Sequence, residues 1–195
     1  TSTQWEIKAA GAHNDRKCEA LTTCPAGARE SVAPTYSTDR VCAACVAGQF
    51  KVAAGNANSC SSCALGHFQA STGQTSCDDC SSGTFQDQTS QSSCKSCAAG
   101  RYQSGSGAQA CTDCSAGSFQ DAQSATSCKA CVYTCGAGLF HTGCGLSSPG
   151  TCKQCTGGTF KPYAGTLDCS DCGTGKFADG YGFSTCKPCA AHTFL

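Results

Sequence analysis

The strongest constraint in this sequence is the phase of its cysteines. Nine CxxC pairs run along it: Cys42/Cys45, Cys60/Cys63, Cys77/Cys80, Cys94/Cys97, Cys111/Cys114, Cys128/Cys131, Cys152/Cys155, Cys169/Cys172 and Cys186/Cys189. From Cys63 to Cys131 the second cysteine recurs every 17 residues, and the same interval returns from Cys155 to Cys189. A chain with this phase is a tandem array of one small unit, and a single large core is excluded. Composition agrees, since 22 of 195 residues are cysteine, a density that marks a disulfide scaffold. Leucine, isoleucine and valine are too scarce to fill a core. Ordering the backbone costs about 1–2 kcal/mol per residue, and little apolar area is available to offset it.

Two further slots keep the cysteine phase. A glycine stands three residues after the second cysteine at Gly48, Gly66, Gly83, Gly100, Gly117, Gly158 and Gly175. An aromatic stands five after it at Phe50, Phe68, Phe85, Tyr102, Phe119, Phe160 and Phe177. Glycine adopts φ > 0 without steric cost, so a tight turn is expected there. The aromatic is expected to lie over a disulfide as the miniature core of its module. The remaining Ser, Thr, Gln, Asp and Gly suit an exposed loop. The fold class that follows is small and disulfide-rich: irregular short β-hairpins and turns in an elongated tandem-repeat rod, with little or no helix and no single hydrophobic core.

Repeated CxxC pairs also suit four-thiolate zinc sites. Against zinc, nine pairs do not divide into four-cysteine sites, Cys135 and Cys144 belong to no pair, and the loops have an extracellular composition. A thioredoxin-type redox motif lacks its βαβ setting. In equivalent modules the second cysteine of one pair bonds the first of the next. That rule gives Cys24–Cys42, Cys45–Cys60, Cys63–Cys77, Cys80–Cys94, Cys97–Cys111, Cys114–Cys128, Cys155–Cys169 and Cys172–Cys186. Each bridge would close a loop of about 15 residues, worth roughly 3 kcal/mol in the chain-entropy estimate. The segment 131–152 breaks the period, and its Cys131, Cys135, Cys144 and Cys152 must then pair among themselves. Gly138 and Phe140 keep the glycine and aromatic slots counted from Cys135. Cys18 and Cys189 are left unpaired within the fragment.

At the N-terminus a longer version of the unit appears. "WEIKAAGAHNDRKC" (5–18) aligns with "RESVAPTYSTDRVC" (29–42) at a shift of 24, matching Glu6 with Glu30, Asp15-Arg16 with Asp39-Arg40 and Cys18 with Cys42. The shift places a cysteine immediately before Thr1 and sets Trp5 in the aromatic slot. "CAAHTFL" (189–195) reads as the opening of another module, with Phe194 in its aromatic slot. The organisation expected is therefore the end of a longer repeat (1–23), a longer repeat (24–44) and five 17-residue single-disulfide repeats (45–130). An irregular two-disulfide module (131–154), two more short repeats (155–188) and the start of a further one (189–195) follow.

The unit C-x-x-G-x-[FY]…C-x-x-C resembles the ephrin-receptor-like (GCC2/GCC3) cysteine-rich repeat, which is related to the cysteine-rich modules of tumour necrosis factor receptors. Cys131, Cys135, Cys144 and Cys152 match the spacing of the two-disulfide receptor module, and that resemblance implies the crossed pairing Cys131–Cys144 and Cys135–Cys152. The segments "AAGAHNDRKC" and "APTYSTDRVC" resemble repeats of very large surface proteins of algae and other microbes. Receptor domains alternate module types, whereas here one type runs almost unbroken.

No catalytic constellation is legible, and an enzyme is not expected. His13, His67, His141 and His192 fall at different module positions, away from any nucleophile and carboxylate. The pair Asp78-Asp79 reads as solvated loop and not as a calcium site, and no cofactor or metal is expected. Asn58 lies in the rare N-x-C sequon, whose cysteine is assigned to a disulfide; O-linked glycans on serine and threonine would suit the loops. The formal net charge is zero and no basic block occurs, which speaks against nucleic acid or an anionic membrane as partner. The density of thiols implies an oxidising compartment, secreted or cell surface. The function expected is a structural extracellular stalk, surface coat or filament, such as a flagellar-hair or fibril subunit. Its partners would be other copies or flanking repeats of the same chain. A ligand-binding ectodomain of a receptor or adhesin is the alternative, with 131–152 as its candidate site.

Overall fold

The computed structural model describes residues 4–8, 11, 17–131 and 133–190. Among these there is no helix, and every strand belongs to a two-stranded antiparallel hairpin. The hairpin follows from the cysteine phase. The aromatic and the residue before it form one short strand, and the two residues inside the next CxxC form the other. Thus His67–Phe68 pairs with Asp78–Asp79, and Thr84–Phe85 with Lys95–Ser96. The two cysteines of a CxxC therefore flank a strand. The first closes the loop behind it, and the second opens the next.

The chain divides into two compact units, one of residues 1–96 with 103–111 and one of residues 97–102 with 112–195. In the first, Gln4–Lys8 pairs with Lys17–Ala20 and Ala28–Val32 with Val41–Ala44. These two hairpins share a register at the shift of 24, with Glu6 opposite Cys18, Glu30 opposite Cys42, and an irregularity two residues on in both. Three short hairpins follow, beginning with Gln49–Phe50 against Ser61–Ser62. The second unit holds four short hairpins: Arg101–Tyr102 with Thr112–Asp113, Ser118–Phe119 with Lys129–Ala130, Thr159–Phe160 with Ser170–Asp171, and Lys176–Phe177 with Lys187–Pro188. Between them stands a long hairpin, Leu139–Gly145 with Ser148–Gln154.

Disulfides join Cys24–Cys42, Cys45–Cys60, Cys63–Cys77 and Cys80–Cys94 in the first unit. In the second they join Cys114–Cys128, Cys131–Cys144, Cys135–Cys152, Cys155–Cys169 and Cys172–Cys186. Cys97 and Cys111 are also disulfide-bonded, and Cys18 and Cys189 are free and exposed. The core is sulfur: the module-opening cysteines Cys24, Cys45, Cys63 and Cys80 of the first unit, and Cys97, Cys135 and Cys155 of the second, are at most 1% exposed.

The aromatics do not form the core. Phe119 is buried, Phe177 is exposed at 39%, and Trp5, Phe50, Phe68, Phe85, Tyr102, Phe140 and Phe160 are half-buried. A two-residue strand gives its side chain one neighbouring strand and no second layer, so one ring face stays at the surface. Phe194 lies outside the described residues. The loop glutamines expected at the surface are also placed differently, and the junctions between modules explain why.

Candidate functional site: the junction between repeats

Consecutive modules are joined by up to three backbone hydrogen bonds. Between the modules opened by Cys63 and Cys80, Gly66 N–H donates to Gln86 O (2.8 Å), Gln69 N–H to Gln91 O (3.0 Å) and Ser90 N–H to Cys63 O (2.9 Å). The preceding junction repeats the set: Gly48 N–H to Gln69 O (2.7 Å), Lys51 N–H to Gln74 O (3.1 Å) and Gly73 N–H to Cys45 O (2.8 Å). In the second unit, Gly158 N–H to Ala178 O, Lys161 N–H to Phe183 O and Gly182 N–H to Cys155 O form it again. At about 1 kcal/mol net for each bond, a junction contributes about as much as the roughly 3 kcal/mol of one disulfide loop.

The glycine slot has two physical reasons. Its residues Gly48, Gly66, Gly83, Gly100, Gly117, Gly138, Gly158 and Gly175 all hold φ between +74° and +86°. The second reason comes from two modules away. A Cβ on Gly66 would stand 2.1 Å from Gly107 O, one on Gly48 2.1 Å from Ser90 O, and one on Gly138 2.0 Å from Gly182 O. The glycine Cα then lies within roughly 3.6 Å of that oxygen, the range of a Cα–H···O contact. At these three positions a module touches the next through hydrogen bonds and the one after through its glycine.

The carbonyl that arrives belongs to a second turn, ten residues after the cysteine, also with positive φ: Gly73 (71°), Ser90 (61°), Gly107 (68°), Ser124 (55°) and Gly182 (76°). In the irregular module Leu146 (49°) takes this role. Sequence reasoning missed this turn, although the small residues at that offset signal it.

It also missed the buried side chain. The residue after the aromatic is Gln69, Gln86, Gln103 or Gln120 in four successive modules. Gln86 is 2% exposed; its Nε2 donates to Ser93 O (2.7 Å) and its Oε1 accepts from Gln88 N–H (3.1 Å). Gln69, Gln103 and Gln120 close their loops in the same way, onto Ser76 and Ser71, Ala110 and Gly105, and Ser127 and Ala122. The amide lies inside because it satisfies a carbonyl and an N–H that the turn would otherwise bury unpaired.

The modules after the two long hairpins use lysine at this position. Lys161, 3% exposed, donates from Nζ to Leu139 O (2.8 Å), Gly165 O (2.7 Å) and Cys135 O (3.4 Å). Lys51 does the same toward Ala28 O (2.6 Å) and Gly55 O. Each ammonium ties its own loop to the hairpin behind it.

Charged side chains decorate the hairpins with a period of two modules. His67 Nδ1 meets Asp79 (2.7 Å) and Arg101 Nε meets Asp113 (2.6 Å); Lys95 meets Asp87 (2.5 Å) and Lys129 meets Asp121 (2.5 Å). The lysines also lie over the Phe85 and Phe119 rings. Hydrogen bonds from these lysines hold Asp87 and Asp121 below the ordinary aspartate range. All four pairs are exposed and contribute little.

Asp79 is thus engaged by His67, and Asp78 accepts a long bond from Gln69 Nε2 (3.4 Å). Among the described residues no group of three or more His, Cys, Asp or Glu could hold a metal ion. His141 Nε2 bonds Pro149 O (3.0 Å), and its ring stacks on Tyr133 at 4.7 Å. His13 and His192 lie outside the described residues. Among the described residues no helix is long and apolar enough to cross a membrane.

A family model described as "Tyrosine-protein kinase ephrin type A/B receptor-like" matches residues 52–89 and, overlapping them, 71–110. Among solved structures, a chain of the human RANKL/OPG complex is 17% identical over 77% of this chain and 98% of its own length, with a TM-score of 0.24. No curated protein matches the chain. Residues 52–110 thus match cysteine-rich repeats of the ephrin-receptor-like kind.

Proposed function

We propose that these receptor-like repeats form an extracellular structural array, a disulfide-stapled stalk, surface coat or filament. The observation that carries this reading is where the repeated atoms go. In the modules opened by Cys45 and Cys63 the glycine N–H and Cα and the cysteine carbonyl are engaged within the array, and the Gln69 and Gln86 amides are engaged in their own loops. Over 53–145 the described residues include no exposed large apolar side chain, whereas the regular modules at either end expose Val46, Val52, Tyr163, Leu167, Phe177 and Tyr181. Stability in such an array is a sum of units and nearest-neighbour junctions, so length adds without a larger core. Other copies or flanking repeats are the proposed partners, reached through Cys18 and Cys189, and exposed serines and threonines would carry O-linked sugars. Disulfide mapping of unreduced native material tests this. The account expects Cys18 and Cys189 in peptides linked to further repeats, and free alkylation of both would contradict it.

The receptor-ectodomain reading has one observation in its favour, a groove of about 400 Å³ in the second unit lined by Phe140, His141, Thr142, Thr159 and Asp168. A soluble partner retained on the unreduced chain and lost on His141→Ala would favour it.

A further inference from the structure

One junction within the second unit departs furthest from the rule. Between the module opened by Cys114 and the two-disulfide module, one of the three bonds is present, Gln120 N–H to Leu146 O (2.7 Å). Among the described residues nothing accepts from Gly117 N–H, and nothing donates to Cys114 O. Gly117 keeps the turn conformation at φ +79°, yet it is exposed and nothing stands within 4 Å of where its Cβ would be. Gly158 and Gly175 also face open space, but the modules two places beyond them run past the described residues.

The cause lies in the irregular module. His141, in the position that would offer its carbonyl to Gly117, continues the long hairpin opposite Cys152, its ring stacked on Tyr133. Gly165, the residue two modules on that would cover Gly117, is bound to Cys135 in both directions (3.0 and 3.2 Å). The Gly165 carbonyl, which accepts from Cys135 N–H, has been taken by the insertion. What remains is Phe119, 7% exposed, bridged to Leu146 at one edge.

We infer that this junction is a hinge, with the Phe119–Leu146 edge as its pivot and the Gly117 edge as the side that opens. The modules on either side are braced: before the joint Gly100 N–H bonds Gln120 O (2.7 Å) and Ser124 N–H bonds Cys97 O (2.9 Å), and beyond it three bonds link the modules of Cys155 and Cys172, with the Lys161 clamp behind them. Bending is therefore concentrated at one place. The inference concerns the joint and holds for a stalk or a receptor arm alike, so its failure would leave the proposed function standing.

The test is amide hydrogen exchange, resolved by residue, on the unreduced full chain. Gln120 N–H is compared with its counterparts Gln69 and Gln86, and with Lys161, which bonds Phe183 O (3.1 Å) beyond the joint. The expected result is exchange at Gln120 roughly 30-fold faster than at Gln69, Gln86 and Lys161, the factor carried by two missing hydrogen bonds. Rates within threefold of one another would overturn the hinge. Equally fast exchange at Gln120 and Lys161 would also overturn it, since opening would then be general fraying of the unit.

Discussion

Replacing Gly66 by alanine separates the two reasons for the glycine slot. At φ +81° an L-residue costs about 1–2 kcal/mol. The added methyl must also displace a backbone carbonyl, Gly107 O, from 2.1 Å, and overpacking of that kind costs about 1–3 kcal/mol. If Gly66 shifts to relieve the clash, its bond to Gln86 O (2.8 Å) is lost, a further ~1 kcal/mol. The expected total is about 3–6 kcal/mol. Gly117→Ala has the same backbone penalty and no clash, so about 1–2 kcal/mol is expected. Urea unfolding of both variants, unreduced and followed by exchange of junction amides, reads the difference. Equal costs for the two variants would refute the claim that contact two modules away fixes the slot.

Further substitutions address the loops. Gln86→Ala leaves Ser93 O and Gln88 N–H without partners and should cost about 2–3 kcal/mol, read as faster exchange within that one module. Leu146→Gly relieves the positive φ of 49° and should raise the urea midpoint by up to about 1 kcal/mol of stability; a lower midpoint would show that the Leu146 side chain packs usefully. Asp39 accepts hydrogen bonds from the Thr22 hydroxyl and N–H and from Arg40 N–H, which hold its carboxyl below the ordinary aspartate value of 3.8. Because the folded group is the stronger acid, its contribution is complete above that value and lost as pH falls through the lower folded one. A carbon-detected titration placing Asp39 at or above 3.8 would contradict the geometry. Joint replacement of Cys63 and Cys77 by serine should cost about 3 kcal/mol and free the loop of one module, leaving its neighbours protected.

The fold class was legible because it rests on periodicity. A 17-residue interval with glycine and aromatic in fixed phase leaves room for a turn and a two-residue hairpin and for little else. The junction was not legible, for reasons that particular residues make plain. Gln86 reads as a polar loop residue, and only the turn's geometry shows two backbone groups that need it inside. Phe85 reads as core, but its hairpin has no second layer to cover it. Gly66 is marked as a turn by its position, while the carbonyl that excludes every side chain comes from Gly107, 41 residues away. The interruption at 131–152 was visible as a break in phase, and its consequence at Gly117 required the contact between Cys135 and Gly165.

The central claim is that the chain is a series of small covalently closed units sealed by backbone junctions. Stretching single unreduced molecules between their two ends tests it most directly. The account predicts a run of short extensions, each releasing only the few residues outside a disulfide loop, with longer releases appearing after reduction. A single cooperative rupture freeing a large part of the unreduced chain would contradict it, because that is the behaviour of one shared core.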